Sequence, residues 1–414
     1  MMIRNRHSLF LLLVLSLTAF VSRVPAQAQS EGQVLLLAWE GPISPIMNEY
    51  LQRGISTAEQ RDAEALILQL DTPGGSLEVM QDIVSTIRGS SVPIIVYVAP
   101  SGAIAGSAGT VITLAGHLAA MAPETAIGAA SPVGAQGEDL GETIRSKTEQ
   151  ILKAQIRSIA SHRGEEALAF AEETVESARA ASAQEALAVG LVDYLAVDIP
   201  TLLDQIDGRE VETTAGNVTL NTDGVVPEIV SLTLIEQLLQ TLTNPNIVFI
   251  LLIIGAQAIL IELSSPGSWV PGFVGAVCLS LAAYGLGVLP VNWFGIIFLG
   301  ISFVLFILDV EAPAPGALTA AGAGSLIIGA LILFNSPGTP SFQRVSIWVV
   351  VGGSLFTGGI FALLMAFAAR AQKAPIRTGQ EALVGKIGFA RSEITAGAEG
   401  EAHVAGELWT AELA

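Results

Sequence analysis

Residues 66–76 read L-I-L-Q-L-D-T-P-G-G-S, and this stretch decides the fold. Leu66 to Leu70 is a short leucine-rich run, suited to a buried strand. Asp71-Thr72-Pro73-Gly74-Gly75-Ser76 breaks it. Leu77 to Arg88 then has helical spacing, and Ile94 to Val98 is a second strand, rich in β-branched residues. Strand, helix, strand in this rhythm predicts a parallel sheet with crossover helices. Upstream, Gln33 to Trp39 predicts another buried strand and Met47 to Arg61 a helix. Downstream, Lys147 to His162 predicts a long helix. Gln184 to Ala188 and Val192 to Val197 close an α/β domain that we place at residues 29–210.

The rest of the chain has a different composition. Across all 414 residues, 51% are hydrophobic and 14% are charged, against about 25% charged in an ordinary soluble domain. From residue 246, five apolar runs follow, at about 246–263, 272–289, 293–309, 316–334 and 345–369. Each is close to the ~20 residues that cross a bilayer. Gly322, Gly324 and Gly329 let helices approach closely in lipid, which predicts a bundle over residues 246–369. Residues 211–245 are expected to be a linker near the membrane surface, with Ile235, Leu238, Leu239 and Leu242 on one apolar face.

The ends set the topology. Arg4, Arg6 and His7, the apolar Leu9 to Val21, and Ala26-Gln27-Ala28 predict a cleaved export signal over residues 1–28. Arg370, Lys373, Arg377 and Lys386 follow the last apolar run and place that end in the cytoplasm. The expected location is therefore the cell membrane, multi-pass, with the α/β domain outside and the C-terminal segment inside. Residues 376–414 are polar again, with Ala382 to Gly385 and Gly406 to Trp409 as short strand candidates in a small β-barrel. The net charge of −19 argues against a nucleic-acid partner. The lone Cys278 cannot form an internal disulfide, and no Cys/His cluster has metal-ligand spacing, so no metal or cofactor is expected.

Three stretches can carry chemistry. Gly74-Gly75, before a helix, can turn backbone N–H groups toward a developing oxyanion. The same pair is also a common strand-to-helix turn. Gly102 to Thr110 surrounds Ser107 with small residues at a helix start, where a nucleophile benefits from the helix's positive end. Such a serine also serves simply to pack. Lys147 is a candidate base at the start of a helix. A lysine base must shed its proton, which requires burial away from carboxylates, and Glu142 and Glu149 are close in sequence. A solvated surface lysine is the alternative reading, and Lys153 is a rival base. Of the histidines, His117 reads as a structural hydrogen-bonding residue and His162 as a helix-end cap.

Taken together, L-D-T-P-G-G-S at 70–76, A-G-S-A-G-T at 105–110 and M-A-P-E-T-A-I-G-A-A-S-P at 121–132 resemble the long-form NfeD proteins, as do I-E-L-S-S-P-G at 261–267, L-P-V-N at 289–292 and G-E-L-W at 406–409. The resemblance implies an α/β domain of ClpP/crotonase type, an α-helical transmembrane bundle, and a C-terminal OB-like barrel that is partial here. It implies a Ser–Lys endopeptidase. Ser107 falls at the nucleophile position, with Gly106 where the family usually has alanine. Lys147 falls at the base position. Gly74, Gly75 and the N–H of Ala108 would form the oxyanion hole. Ile104, Val111 and Ile127 are expected to wall an apolar substrate site. The implied partners are a stomatin- or SPFH-type membrane protein cleaved in a hydrophobic segment, and further copies of the chain in a homo-oligomer. Two alternatives come from other classes. One is a non-catalytic membrane scaffold that organises stomatin-like proteins. The other is a crotonase-type acyl-CoA enzyme, disfavoured because acyl-CoA is cytoplasmic.

Overall fold

Alternate residues of the first strands go to opposite faces of one sheet. Leu35, Leu37, Leu66, Leu68, Ile94 and Val96 enter one core, and Val34, Leu36, Ile67, Ile95 and Tyr97 enter another. A strand buried on both faces reads as a continuous apolar run, which is why these three were legible. The computed structural model describes residues 32–134, 138–264, 269–311, 316–335, 339, 343–372 and 383–412. The export signal expected over 1–28 lies outside them.

In chain order the first elements are β1 (Val34–Glu40), α1 (Pro45–Gln60), β2 (Ala65–Asp71), α2 (Leu77–Arg88) and β3 (Ile94–Val98). Next come β4 (Ile104–Gly106), α3 (Ala108–Ala115), β5 (Leu118–Met121), β6 (Ala126–Gly128), α4 (Glu142–Ile159) and α5 (Glu165–Glu176). β7 (Ala180–Ser182), α6 (Ala183–Ala188), β8 (Tyr194–Leu195) and α7 (Ile199–Ile206) follow. The main sheet is parallel, in the order β1-β2-β3-β5-β8. A second sheet, ordered β4-β6-β7, stands at its carboxyl edge and was not foreseen. Thr72, just past β2, bridges to Ala105 of β4 and so ties the two sheets together.

Residues 211–245, expected as a linker, are built into this domain. β9 (Glu210–Thr213) and β10 (Gly216–Thr219) form a hairpin, and β11 (Glu228–Ile229) adds to the free edge of β1. α8 (Leu234–Thr241) packs on α1. The chain then enters α9 (Pro245–Ser264), α10 (Val270–Val288), α11 (Phe294–Glu311), α12 (Ala317–Phe334) and α13 (Ile347–Gln372), one for each apolar run. Pro245–Leu263, Val270–Val288 and Ala317–Phe334 are long and apolar enough to cross a bilayer, and α11 and α13 hold shorter apolar stretches.

Residues up to Asn292, with Phe334–Val345, form one unit; Trp293–Leu333 and the residues from Ser346 onward form another. Each unit holds one helical hairpin, and the two hairpins repeat each other. Glu262 near the end of α9 accepts the N–H groups of Trp269 and Gly272. Asp309 near the end of α11 accepts the N–H of Gly316 and the hydroxyl of Thr319. A Cβ on Gly275 would lie 2.9 Å from the Gly255 carbonyl oxygen, and one on Gly322 would lie 3.0 Å from that of Ser302. One constant sequence offset relates every one of these pairs. In both hairpins a carboxylate from the first helix fills the donor-rich start of the second.

Past α13, β12 (Gly388–Ala390), β13 (Gly400–Val404) and β14 (Glu407–Ala411) form an antiparallel sheet. Leu383 to Gly385, expected as a strand, are turn, and Ala382 lies outside the described residues. Three strands are too few to close the expected barrel on themselves, and the described residues form an open sheet.

Candidate functional site

The site grows from the carboxyl ends of β2 and β3. Asp71 ends β2, and its Oδ1 accepts the N–H of Ile104 at 3.0 Å. The N–H of Thr72 donates to the Ile104 carbonyl at 2.7 Å, and that of Gly106 donates back to the Thr72 carbonyl at 2.9 Å. This ladder holds D-T-P-G-G against G-S-A-G. Only glycine fits where they touch. A Cβ on Gly74, at φ +113°, would meet the Ser107 Cβ at 2.6 Å, and one on Gly109 would meet the Thr72 Cγ2 at 2.5 Å.

Ser107 has φ 51° and ψ −116° and is the residue before α3. A non-glycine residue held there stores roughly 1–3 kcal/mol of strain, so its surroundings must impose it. They do so from both sides. Its N–H donates to the Gly128 carbonyl at 3.1 Å, and its carbonyl accepts the N–H of Thr110 at 3.0 Å. The Thr110 hydroxyl fixes the turn further by donating to the Ala105 carbonyl at 2.9 Å. Every residue of α3 is buried. The result is a half-buried hydroxyl at the positive end of a short helix, with no hydrogen-bond partner among the described residues.

The expected oxyanion donors divide. The N–H groups of Gly75 and Ala108 have no acceptor among the described residues. Gly74 differs, because its N–H donates to the Thr72 Oγ1 at 3.1 Å. Thr72 is fully buried and went unnoticed as a site residue. A polar side chain just ahead of a glycine pair was the signal that pointed to it.

Lys147 makes no hydrogen bond to Ser107. It lies in the first half of α4, exposed, with no hydrogen bond or ion pair among the described residues. Leu152, Ile156 and Ile159 bury only the second half of that helix. The first half carries exposed Ile144, and Ile151 at the boundary is 57% exposed. Glu149, feared as a neighbour, turns to Arg145 at 3.2 Å.

The rivals are spoken for. Lys153 Nζ sits 2.7 Å from Glu176 and 3.4 Å from Glu172, and these carboxylates raise its pKa, the reverse of what a base needs. His117 accepts the Ile94 N–H through Nδ1 at 3.1 Å. Burial, helped by the Arg88 cation, lowers its pKa to about 4. It is the structural histidine that was expected. Of the proposed apolar walls, Ile104 is partly exposed, but Val111 and Ile127 are core residues. Helix and strand packing turns those two inward.

Comparison with known proteins identifies the family. The NfeD1b N-terminal domain matches residues 33–213, and the NfeD integral membrane domain matches residues 246–367. Membrane-bound protease PH1510 of Pyrococcus horikoshii is 35% identical over 381 residues, covering 90% of this chain and 85% of its own. Membrane protein NfeD1b of Bacillus subtilis is 26% identical over 364 residues, covering 84% and 77%. A solved structure, the 1510-N membrane protease specific for a stomatin homolog from Pyrococcus horikoshii, is 32% identical. It covers 52% of this chain and 100% of that one, with a TM-score of 0.45. Two domain matches in the right order, and a relative alike along nine-tenths of the length, make this chain a member of the NfeD family.

Proposed function

We propose that this protein is a membrane-anchored serine endopeptidase in which Ser107 is the nucleophile and Lys147 the base. The observation that carries the reading is the backbone of Ser107, held at positive φ before a buried helix and beside a glycine that no larger residue could replace. The kinship to a membrane-bound protease supports it. In the reaction, neutral Lys147 Nζ takes the proton from Ser107 Oγ. Oγ bonds to the peptide carbonyl carbon, and the negative charge on the carbonyl oxygen is met by the N–H groups of Gly75 and Ala108. The Gly74 N–H, tied to Thr72, shapes the loop instead. The tetrahedral intermediate collapses, the C–N bond breaks, and the amine leaves with the proton from Lys147. Water then attacks the acyl-serine, giving its proton to Lys147; the bond from the acyl carbon to Oγ breaks, the acid leaves, and Lys147 returns the proton to Ser107 Oγ.

For this to run, the first half of α4 must be covered. Covering it would take the Lys147 amine out of water, the condition a lysine base needs. Exposed Val133, Ile144 and Ile151 supply the apolar surface for that closure. An apolar peptide, or a neighbouring copy in a homo-oligomer, fits it. The substrate class we assign is therefore a hydrophobic segment of a membrane-associated protein, with a stomatin-type partner as the resemblance implies. The topology we assign puts the protease domain outside the cell and the C-terminal sheet in the cytoplasm, joined by five spans.

The test is cleavage of casein and an apolar peptide by the purified full chain. Ser107→Ala, folded as wild type, should lose at least about 10⁴-fold in rate. Unchanged cleavage removes Ser107 from the chemistry. A second reading, a non-catalytic scaffold for stomatin-like proteins, is favoured by the exposure of Lys147. It predicts no cleavage by the wild type in a bilayer, with binding of such partners intact in Ser107→Ala.

A further inference from the structure

The segment between the protease domain and the first span shows two sets of apolar residues on α8 and at its ends. One set faces inward. Leu232 and Leu239 pack against the domain core, and Leu242 is buried. The other set, Leu234, Ile235 and Leu238, faces out, with Leu234 84% and Ile235 70% exposed. The two sets cannot be exchanged by rolling the helix, because polar contacts fix it. Arg53 of α1 grips Glu236 with two hydrogen bonds, at 2.9 and 2.7 Å, and donates to the Ser231 carbonyl at 2.9 Å. Glu236 also accepts the N–H of Thr233 at 2.7 Å in a capping box. Tyr50 lies under the Arg53 guanidinium and donates its hydroxyl to the Val230 carbonyl.

What covers the outward face follows from the chain itself. Leu242 is followed by Thr243 and Asn244, and α9 begins at Pro245. The three residues from Leu242 to Asn244 that separate the two helices reach at most about 11 Å. The polar zone on each side of a bilayer is about 5–7 Å deep. Three large apolar side chains on the last two turns before so short a link lie within reach of the lipid surface. No Lys or Arg occurs between Arg209 and Arg344, so the attraction is apolar and needs no anionic lipid.

We infer that the outward face of α8, through Leu234, Ile235 and Leu238, rests in the interface of the bilayer and sets the orientation of the protease domain on it. The consequence, which rests on the peptidase reading, concerns substrate choice. Gln240 of α8 donates to the carbonyl of Glu40 at 3.2 Å, at the carboxyl end of β1. Glu40 pairs in register with Asp71, where the D-T-P-G-G loop begins. The sheet edge that carries the site is thus the edge fastened beside the membrane. Peptide segments lying at the lipid surface are the ones presented to Ser107, and distance from the bilayer becomes a determinant of specificity.

The experiment uses the full chain in phosphatidylcholine nanodiscs, with Cys278→Ser and Ile235→Cys carrying an environment-sensitive fluorophore. A parallel variant with Glu165→Cys, on α5, is the control. The expected result is blue-shifted emission at position 235 and at least about twofold stronger quenching there than at 165 by phosphatidylcholine bearing a headgroup-proximal nitroxide. Wet, unquenched emission at 235 overturns the inference. So does dry emission that lipid nitroxides leave unquenched, since a second copy or a protein partner then covers the face. The readout needs no catalysis: lipid quenching in a chain that cleaves nothing would sink the peptidase reading and leave α8 where we put it.

Discussion

Ser107 and Lys147 sit in opposite kinds of structure. Around Ser107, two backbone hydrogen bonds, the Thr110 hydroxyl, a buried helix and two glycines fix the turn. Around Lys147, half a helix stands clear of the core, with its apolar residues in water. One half of the proposed dyad is built by folding, and the other waits for a partner surface. On the proposed reading, the difference teaches how a protease of this design would be safe at rest: the strained, pre-set half would not act until the loose half is covered.

The comparison can be broken in several ways. Among variants that keep Ser107, the largest effect should come from Gly74→Ala, where the new methyl drives into Ser107 at a φ that suits only glycine. Peptide cleavage should fall at least about 10³-fold, because misplacement of about 1 Å already costs 10²-fold. Activity near wild type would show that the contact is dispensable. Next is Lys147→Ala. Turnover should drop by about 10²–10³-fold, the usual scale for a lost general base, while the melting temperature stays within about 1 °C, since exposed side chains rarely matter to stability. Matching losses of activity and stability would mean that Lys147 is structural.

The same helix offers a stability contrast. Leu152→Ala, in the buried half of α4, should cost about 2–5 kcal/mol in denaturant unfolding. Ile144→Ala, in the exposed half, should cost under about 0.5 kcal/mol. Similar costs would mean that the first half is packed in solution.

The smallest effect concerns pH. His117 has its pKa lowered to about 4, chiefly by burial, from an ordinary value of 6.5. The unfolded chain therefore binds a proton that the folded domain refuses. The stability contributed by neutral His117 is complete above about pH 6.5 and is lost as pH falls toward 4. It amounts to about 3 kcal/mol over that window. His117→Gln should flatten this part of the acid limb, and an unchanged pH profile would contradict the burial argument.

Much of the fold was legible. The edges of α2 and β3 match the sequence reading because Gly, Pro and Ser punctuate apolar runs there. The second sheet was not legible, since β4, β6 and β7 have three residues each, mostly Gly, Ala and Ser, with no apolar period to detect. β11 was missed for a related reason: two residues pair with β1 through backbone alone. The strap of α8 was read as one apolar face because spacing cannot say which leucines a distant Arg53–Glu236 pair will turn inward. In the candidate site, the small residues around Ser107 are what singled it out in the sequence. The exposure of Lys147 agrees with the solvated-lysine reading of the sequence, while the half-length burial of its helix was not legible, because the apolar stripe runs on past the part that the core meets.

The central claim is that Ser107 is a nucleophile activated by Lys147, and labelling with a serine-reactive fluorophosphonate tests it most directly. With the full chain in a bilayer and an apolar peptide present, mass mapping should place the adduct on Ser107, and Lys147→Ala should slow its formation at least about 10²-fold. An adduct on another residue, or Ser107 labelling at the wild-type rate without Lys147, would contradict the account.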